Sequence, residues 1–184
     1  LSLSPVTDAD SLDYHIGYGL NIINNGTFSP RYDWFHYMLS GHGEFLNLFS
    51  LLIGSPNFMH LIQFSSILII IACYSYIKKK YKSDFNYNIF LFSTPLLLWF
   101  VTSNKSQLFC SVLFLLSFVL LLDLTKKFSS IKMILVLLFC AYAVVNKLSF
   151  VIPSFFIFII ITFISLKNKK ISKFLVSGLL IFLI

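Results

Sequence analysis

The sequence predicts an all-α polytopic membrane protein, and three observations carry that prediction. Apolar residues make up 58% of the 184 and charged residues 11%, against about half and a quarter in a soluble domain. The charges cluster between long apolar runs. The lysines alternate in density from one connecting loop to the next. A mean hydropathy of +0.86 agrees with this class.

The runs place spanning segments at 57–77, 86–102, 107–124, 131–146, 148–166 and 171–184. About 20 apolar residues cross a bilayer core, so several of these are short and tilted. Backbone groups in lipid must be satisfied within the segment, which selects helices; no run has the alternation of a barrel strand. Residues 1–56 are a separate region holding five of the seven acids, and 57–184 form the helix bundle. The start at Leu1 and the stop at Ile184 inside an apolar run suggest a chain that continues at both ends.

Orientation follows from the cations. One set of loops holds Lys78, Lys79, Lys80, Lys82, Lys126, Lys127, Lys132, Lys167, Lys169, Lys170 and Lys173; the opposite set holds Arg31, Lys105 and Lys147. Lysine-rich loops stay in the cytoplasm. The expected location is thus the inner (plasma) membrane, multi-pass, with 1–56 periplasmic or extracellular. The net charge of +7 is accounted for by these loops and excludes nucleic acid as the expected partner; the bilayer is the partner instead. Cys73, Cys110 and Cys140 fall in apolar runs and read as small apolar residues, with no disulfide or metal spacing.

Within 1–56, Leu12, Ile16, Leu20 and Ile23 form one apolar stripe, predicting an interfacial helix begun by Asp10 or Ser11 and ended by Asn25-Gly26. A second is predicted from Gly43 to Ile53, ended by Gly54-Ser55-Pro56. Both would lie on the membrane surface.

Three groups of residues could carry chemistry. Asp8, Asp10, Asp13, Tyr14 and His15 fall within eight residues. Such carboxylates suit a general base, or a hard divalent cation held through Asp8 and Asp10. The alternative reading makes Asp10 a cap and Asp13 a dipole partner. Glu44, in Gly41-His42-Gly43-Glu44, is either a site carboxylate or another dipole partner. His36 and His42 have no metal-ligand spacing with it, and His60 reads as a packing residue. The outer cations Arg31, Lys105 and Lys147 run against the charge rule, as phosphate ligands or as side chains snorkelling to the interface.

The run Asp10-Ser11-Leu12-Asp13-Tyr14-His15, followed by an apolar helix and then Glu44 before a second helix, resembles the first outer loop of GT-C-type membrane glycosyltransferases. The bacterial branch related to protein O-mannosyltransferases and aminoarabinose transferases is the nearest in pattern. Those carry an Asp followed four residues on by Tyr, here Asp10 and Tyr14. The resemblance implies a GT-C-like helix bundle with interfacial helices in its outer loop. It also implies transfer of a sugar from a polyprenyl-phosphate donor to an acceptor hydroxyl, with inversion. Asp10 would be the base, and His15 and Glu44 would orient the acceptor or Asp10. Asp13 and Tyr14 would line the site, and Lys105 or Lys147 would hold the phosphate. Relatives often carry an acid in the second outer loop, where this chain has Asn104-Lys105-Ser106-Gln107; that departure leaves a divalent cation open. A lipid or polysaccharide flippase, or a polysaccharide polymerase or ligase, is the alternative.

Overall fold

The computed structural model describes residues 9, 11–27, 42–82, 93–170 and 178. Among the described residues every regular element is helical and no strand occurs. The helices are α1 (Gly17–Asn25), α2 (Gly43–Leu52), α3 (Phe58–Tyr81), α4 (Pro95–Val101), α5 (Gln107–Lys126), α6 (Ser130–Asn146) and α7 (Val151–Lys167). A π-helical turn, Ser11–Ile16, leads into α1, and a 3-10 turn, Leu148–Phe150, leads into α7.

Three stretches are long and apolar enough to cross a membrane: Phe58–Tyr81, Gln107–Lys126 and Leu148–Lys167. They coincide with the segments expected at 57–77, 107–124 and 148–166. The segment expected at 131–146 is helical as α6, but its 17 residues rise only about 25 Å, just short of the hydrocarbon core. Of 86–102 only the end is described, as α4. The segment expected at 171–184 lies outside the described residues except for Gly178, which is helical.

The chain divides into two units, Leu1–Phe109 and Cys110–Ile184. In the second unit Leu121, Leu124, Met133, Val136, Leu137, Cys140, Ile157 and Ile161 form the core. The buried stripe of α7 is Ser154, Ile157, Ile161 and Ser165, while Phe155, Phe156 and Phe163 face outward. Small serines at a helix seam allow close approach, as membrane helices require. Lys132 Nζ donates to Asp123 Oδ2 at 2.5 Å, neutralising the carboxylate between α5 and α6.

In the first unit, α2 and α3 each turn a stripe of polar residues inward and large apolar residues outward. On α2, Phe45, Phe49 and Leu52 are exposed while Glu44, Asn47 and Ser50 are buried. On α3, Leu61, Phe64 and Leu68 are exposed while His60, Gln63 and Ser66 are buried. Both polar stripes follow an i, i+3, i+6 spacing, one helix face. This inversion suits lipid, which solvates leucine and phenylalanine well and polar groups poorly.

Most of the apolar stripe of the first helix points away from the rest of the protein. Of the predicted stripe only Ile16 is buried; Leu12, Leu20 and Ile23 are 41–49% exposed. The inward face is Ser11, His15, Gly19 and Ile22. Large apolar side chains pointing out of the protein are compatible with a helix lying on a membrane surface. Gly19 explains the close packing of α1 on α2: a Cβ there would lie 2.9 Å from Leu51 Cδ1 and 3.2 Å from Leu48 Cα. The stop signals behaved as expected. Gly26 closes α1 at φ 64°, and Gly54 follows α2 at φ 69°, both left-handed conformations that glycine adopts without steric cost.

Candidate functional site

The buried polar faces of the first unit meet in one network. His15 Nδ1 lies 2.8 Å from Glu44 Oε1, joining residues 29 apart in the chain. Asn47, one turn along α2 from Glu44, donates from Nδ2 to Glu44 Oε2 at 3.1 Å and to the carbonyl of Asn104 at 3.0 Å. Both carboxylate oxygens of Glu44 therefore accept hydrogen bonds, in a site only 4% exposed. An accepting carboxylate places the imidazole proton on Nδ1. In that tautomer Nε2 presents a lone pair. Tyr14 packs its ring against His15, centroids 3.9 Å apart.

The turn after α4 completes the network. Ser103, Asn104, Lys105 and Ser106 are all buried. Ser11 Oγ accepts from the Asn104 N–H at 3.4 Å, so this side chain, expected as a helix cap, ties the first helix to the turn instead. From α3, Gln63 uses both ends of its amide: Nε2 donates to the Lys105 carbonyl, and Oε1 accepts from the Phe109 N–H at 3.1 Å. Phe109 lies in the first turn of α5, where backbone N–H groups have no partner within their own helix. Gln63 thus caps α5 from another helix and positions Lys105 at the same time. Lys105 is 6% exposed, and its Nζ lies 4.3 Å from the centroid of the Trp99 ring. Its ammonium is held inside by a cation–π contact and does not snorkel to the surface.

Of the residues expected to act, the structure joins His15 and Glu44 directly, sets Tyr14 against His15, and places Lys105 on the adjoining turn. Asp13 is exposed, two residues from buried His15. Lys147 belongs to the second unit, where it ends α6 next to buried Asn146. Asp8, Asp10, Arg31 and His36 lie outside the described residues. His42 is exposed at the start of α2, with its ring against Phe45. His60 is fully buried in α3. Among the described residues no three His, Cys, Asp or Glu side chains are grouped as a metal centre would need. The three cysteines are free and buried.

Sequence reasoning missed Asn47, Gln63 and Asn104. The signal was present: Glu44, Asn47 and Ser50, then His60, Gln63 and Ser66, put one polar face on each of two otherwise apolar helices.

The DUF1420 N-terminal domain matches residues 1–184, the whole chain. The chain belongs to the DUF1420 family. No curated protein and no solved structure matches it.

Proposed function

We propose that this domain forms the outer-face catalytic region of a membrane glycosyltransferase. The enzyme moves a sugar from a polyprenyl-phosphate carrier to an acceptor hydroxyl. One observation supports the reading above the others: a buried His15–Glu44 pair beside the turn that carries buried Lys105. The pair is linked through Asn47 and the turn of Asn104 and Lys105 to Gln63, near the start of α3, and Lys79 lies near the end of that helix, a rise of about 24 Å from Gln63. Lysine-rich ends stay cytoplasmic, so this reading puts the pair toward the outer face, where lipid-linked sugars are presented.

In this mechanism the acceptor oxygen attacks the anomeric carbon, the carbon–oxygen bond to phosphate breaks, and configuration inverts. The acceptor proton passes to Asp10, the base implied by the GT-C resemblance, with His15 and Glu44 fixing the geometry. The departing lipid phosphate gains negative charge, which Lys105 stabilises as a point charge. The test uses full-length protein in membranes supplied with polyprenyl-phosphate-linked sugars, with release of polyprenyl phosphate followed by mass spectrometry. Wild type releases it, Asp10→Asn does not, and Glu44→Gln loses roughly a hundredfold or more. Translocation of the intact sugar lipid across vesicles without release would replace this reading with a flippase.

A further inference from the structure

Four polar atoms of the network have no hydrogen-bond partner although they are sealed from solvent: His15 Nε2, Asn47 Oδ1, and both Oδ1 and Nδ2 of Asn104. Their side chains are among the most buried of the chain, at 1%, 0% and 0% exposure. The residues that carry them belong to one chain of hydrogen bonds, since His15 bonds Glu44, Glu44 bonds Asn47, and Asn47 bonds the backbone of Asn104. Asn104 is the telling member. Neither end of its amide is used, and a leucine of similar size would avoid burying two unsatisfied groups.

We propose that these atoms form a subsite for the hydroxyl groups of an uncharged sugar, which deepens the glycosyltransferase reading and rests on it. With the imidazole proton on Nδ1, the subsite offers three acceptors (His15 Nε2, Asn47 Oδ1, Asn104 Oδ1) and one donor (Asn104 Nδ2). A carboxylate or phosphate brings only acceptors and cannot satisfy the three oxygen and nitrogen lone pairs. An ammonium brings only donors and leaves Asn104 Nδ2 without a partner. A hydroxyl donates and accepts at once, so neighbouring ring hydroxyls satisfy all four atoms. The subsite is closed in this state. Admitting a ring requires the turn carrying Asn104 to move from α2, by release of the Asn47 Nδ2 bond to the Asn104 carbonyl.

The test measures thermal protection of the full-length protein in lipid nanodiscs by methyl glucoside, methyl mannoside, glucuronate and glucosamine. A neutral glycoside should raise the melting temperature of wild type, whereas glucuronate and glucosamine, which share ring hydroxyls but bring a charge that the subsite leaves unpaired, should protect less. Asn104→Leu should melt no lower than wild type, since its side chain makes no bond, and should lose the protection. Equal protection by glucuronate, stronger protection by glucosamine, or no protection by any glycoside overturns the inference. So does an Asn104→Leu protein that melts well below wild type, because the amide would then be structural. The readout is independent of transfer. Protection without transfer removes the glycosyltransferase reading and keeps a carbohydrate site, while transfer without protection removes this inference alone.

Discussion

Replacing His15 by phenylalanine and Glu44 by leucine, singly and together, measures how strongly the central pair is coupled. Phenylalanine keeps a ring against Tyr14 and removes both nitrogens, of which only Nδ1 makes a hydrogen bond. The pair is 1% and 4% exposed, so water does not screen it. Removing one member of a buried hydrogen-bonded pair leaves the other unsatisfied, which costs about 1–3 kcal/mol, and more where the group left behind is charged. A hydrogen bond to a charged group contributes about 1.5–3 kcal/mol. The double variant should therefore be less destabilised than the sum of the singles by about 1.5–3 kcal/mol. Loss of helical circular dichroism during denaturant titration in mixed micelles gives the three free energies. Coupling below about 0.5 kcal/mol, the level at which independent sites add, would refute the pairing. In the double variant Asn47 keeps its bond to the Asn104 carbonyl, so the turn should stay docked and the measured coupling should belong to the pair.

Three further outcomes are expected. Gln63→Leu leaves the Lys105 carbonyl and the Phe109 N–H without that amide and should cost about 2–4 kcal/mol in the same titration; a cost near zero would show that α5 needs no cap from α3. Gly19→Val forces side-chain atoms against the Leu48 backbone and should cost about 1–3 kcal/mol, detectable as a lower melting temperature; an unchanged value would mean that α1 does not pack closely on α2. Because Cys73, Cys110 and Cys140 are buried, cysteines introduced at exposed Asp13 and Lys79 can be labelled over a low background. A membrane-impermeant maleimide should reach position 13 from outside and position 79 only after the membrane is opened; labelling of both from one side would remove the outer-face location of the site.

Much of the fold was legible because its signals are local. The ends of α2 follow from glycines and a proline adjacent in sequence, and the three long helices follow from apolar runs. The candidate site was legible in part. His15 stood out beside three carboxylates, Glu44 after a glycine-bracketed histidine, and Lys105 as a cation in the lysine-poor set of loops. Asn47, Gln63 and Asn104 did not stand out, because a neutral amide changes neither charge nor hydropathy enough to be noticed alone. The apolar stripe marked the period of the first helix but did not reveal that Ser11, His15, Gly19 and Ile22 would be the residues packed inside, because two of them are polar and one is glycine.

The sequence by itself determined that this chain makes helices long and apolar enough to cross a membrane, and which of its loops are rich in lysine. Transfer into lipid and the pull on loop cations add up over neighbouring residues, so they are properties of the string. Only the tertiary structure decided that residues 11, 15, 44, 47, 63 and 104 share one buried network. Which polar groups become partners depends on the rotation of each helix about its axis and on the closeness that Gly19 permits. Those are settled by packing between elements far apart in sequence, because a polar group hidden from water gains more from a fixed partner than any local preference of the chain can offset.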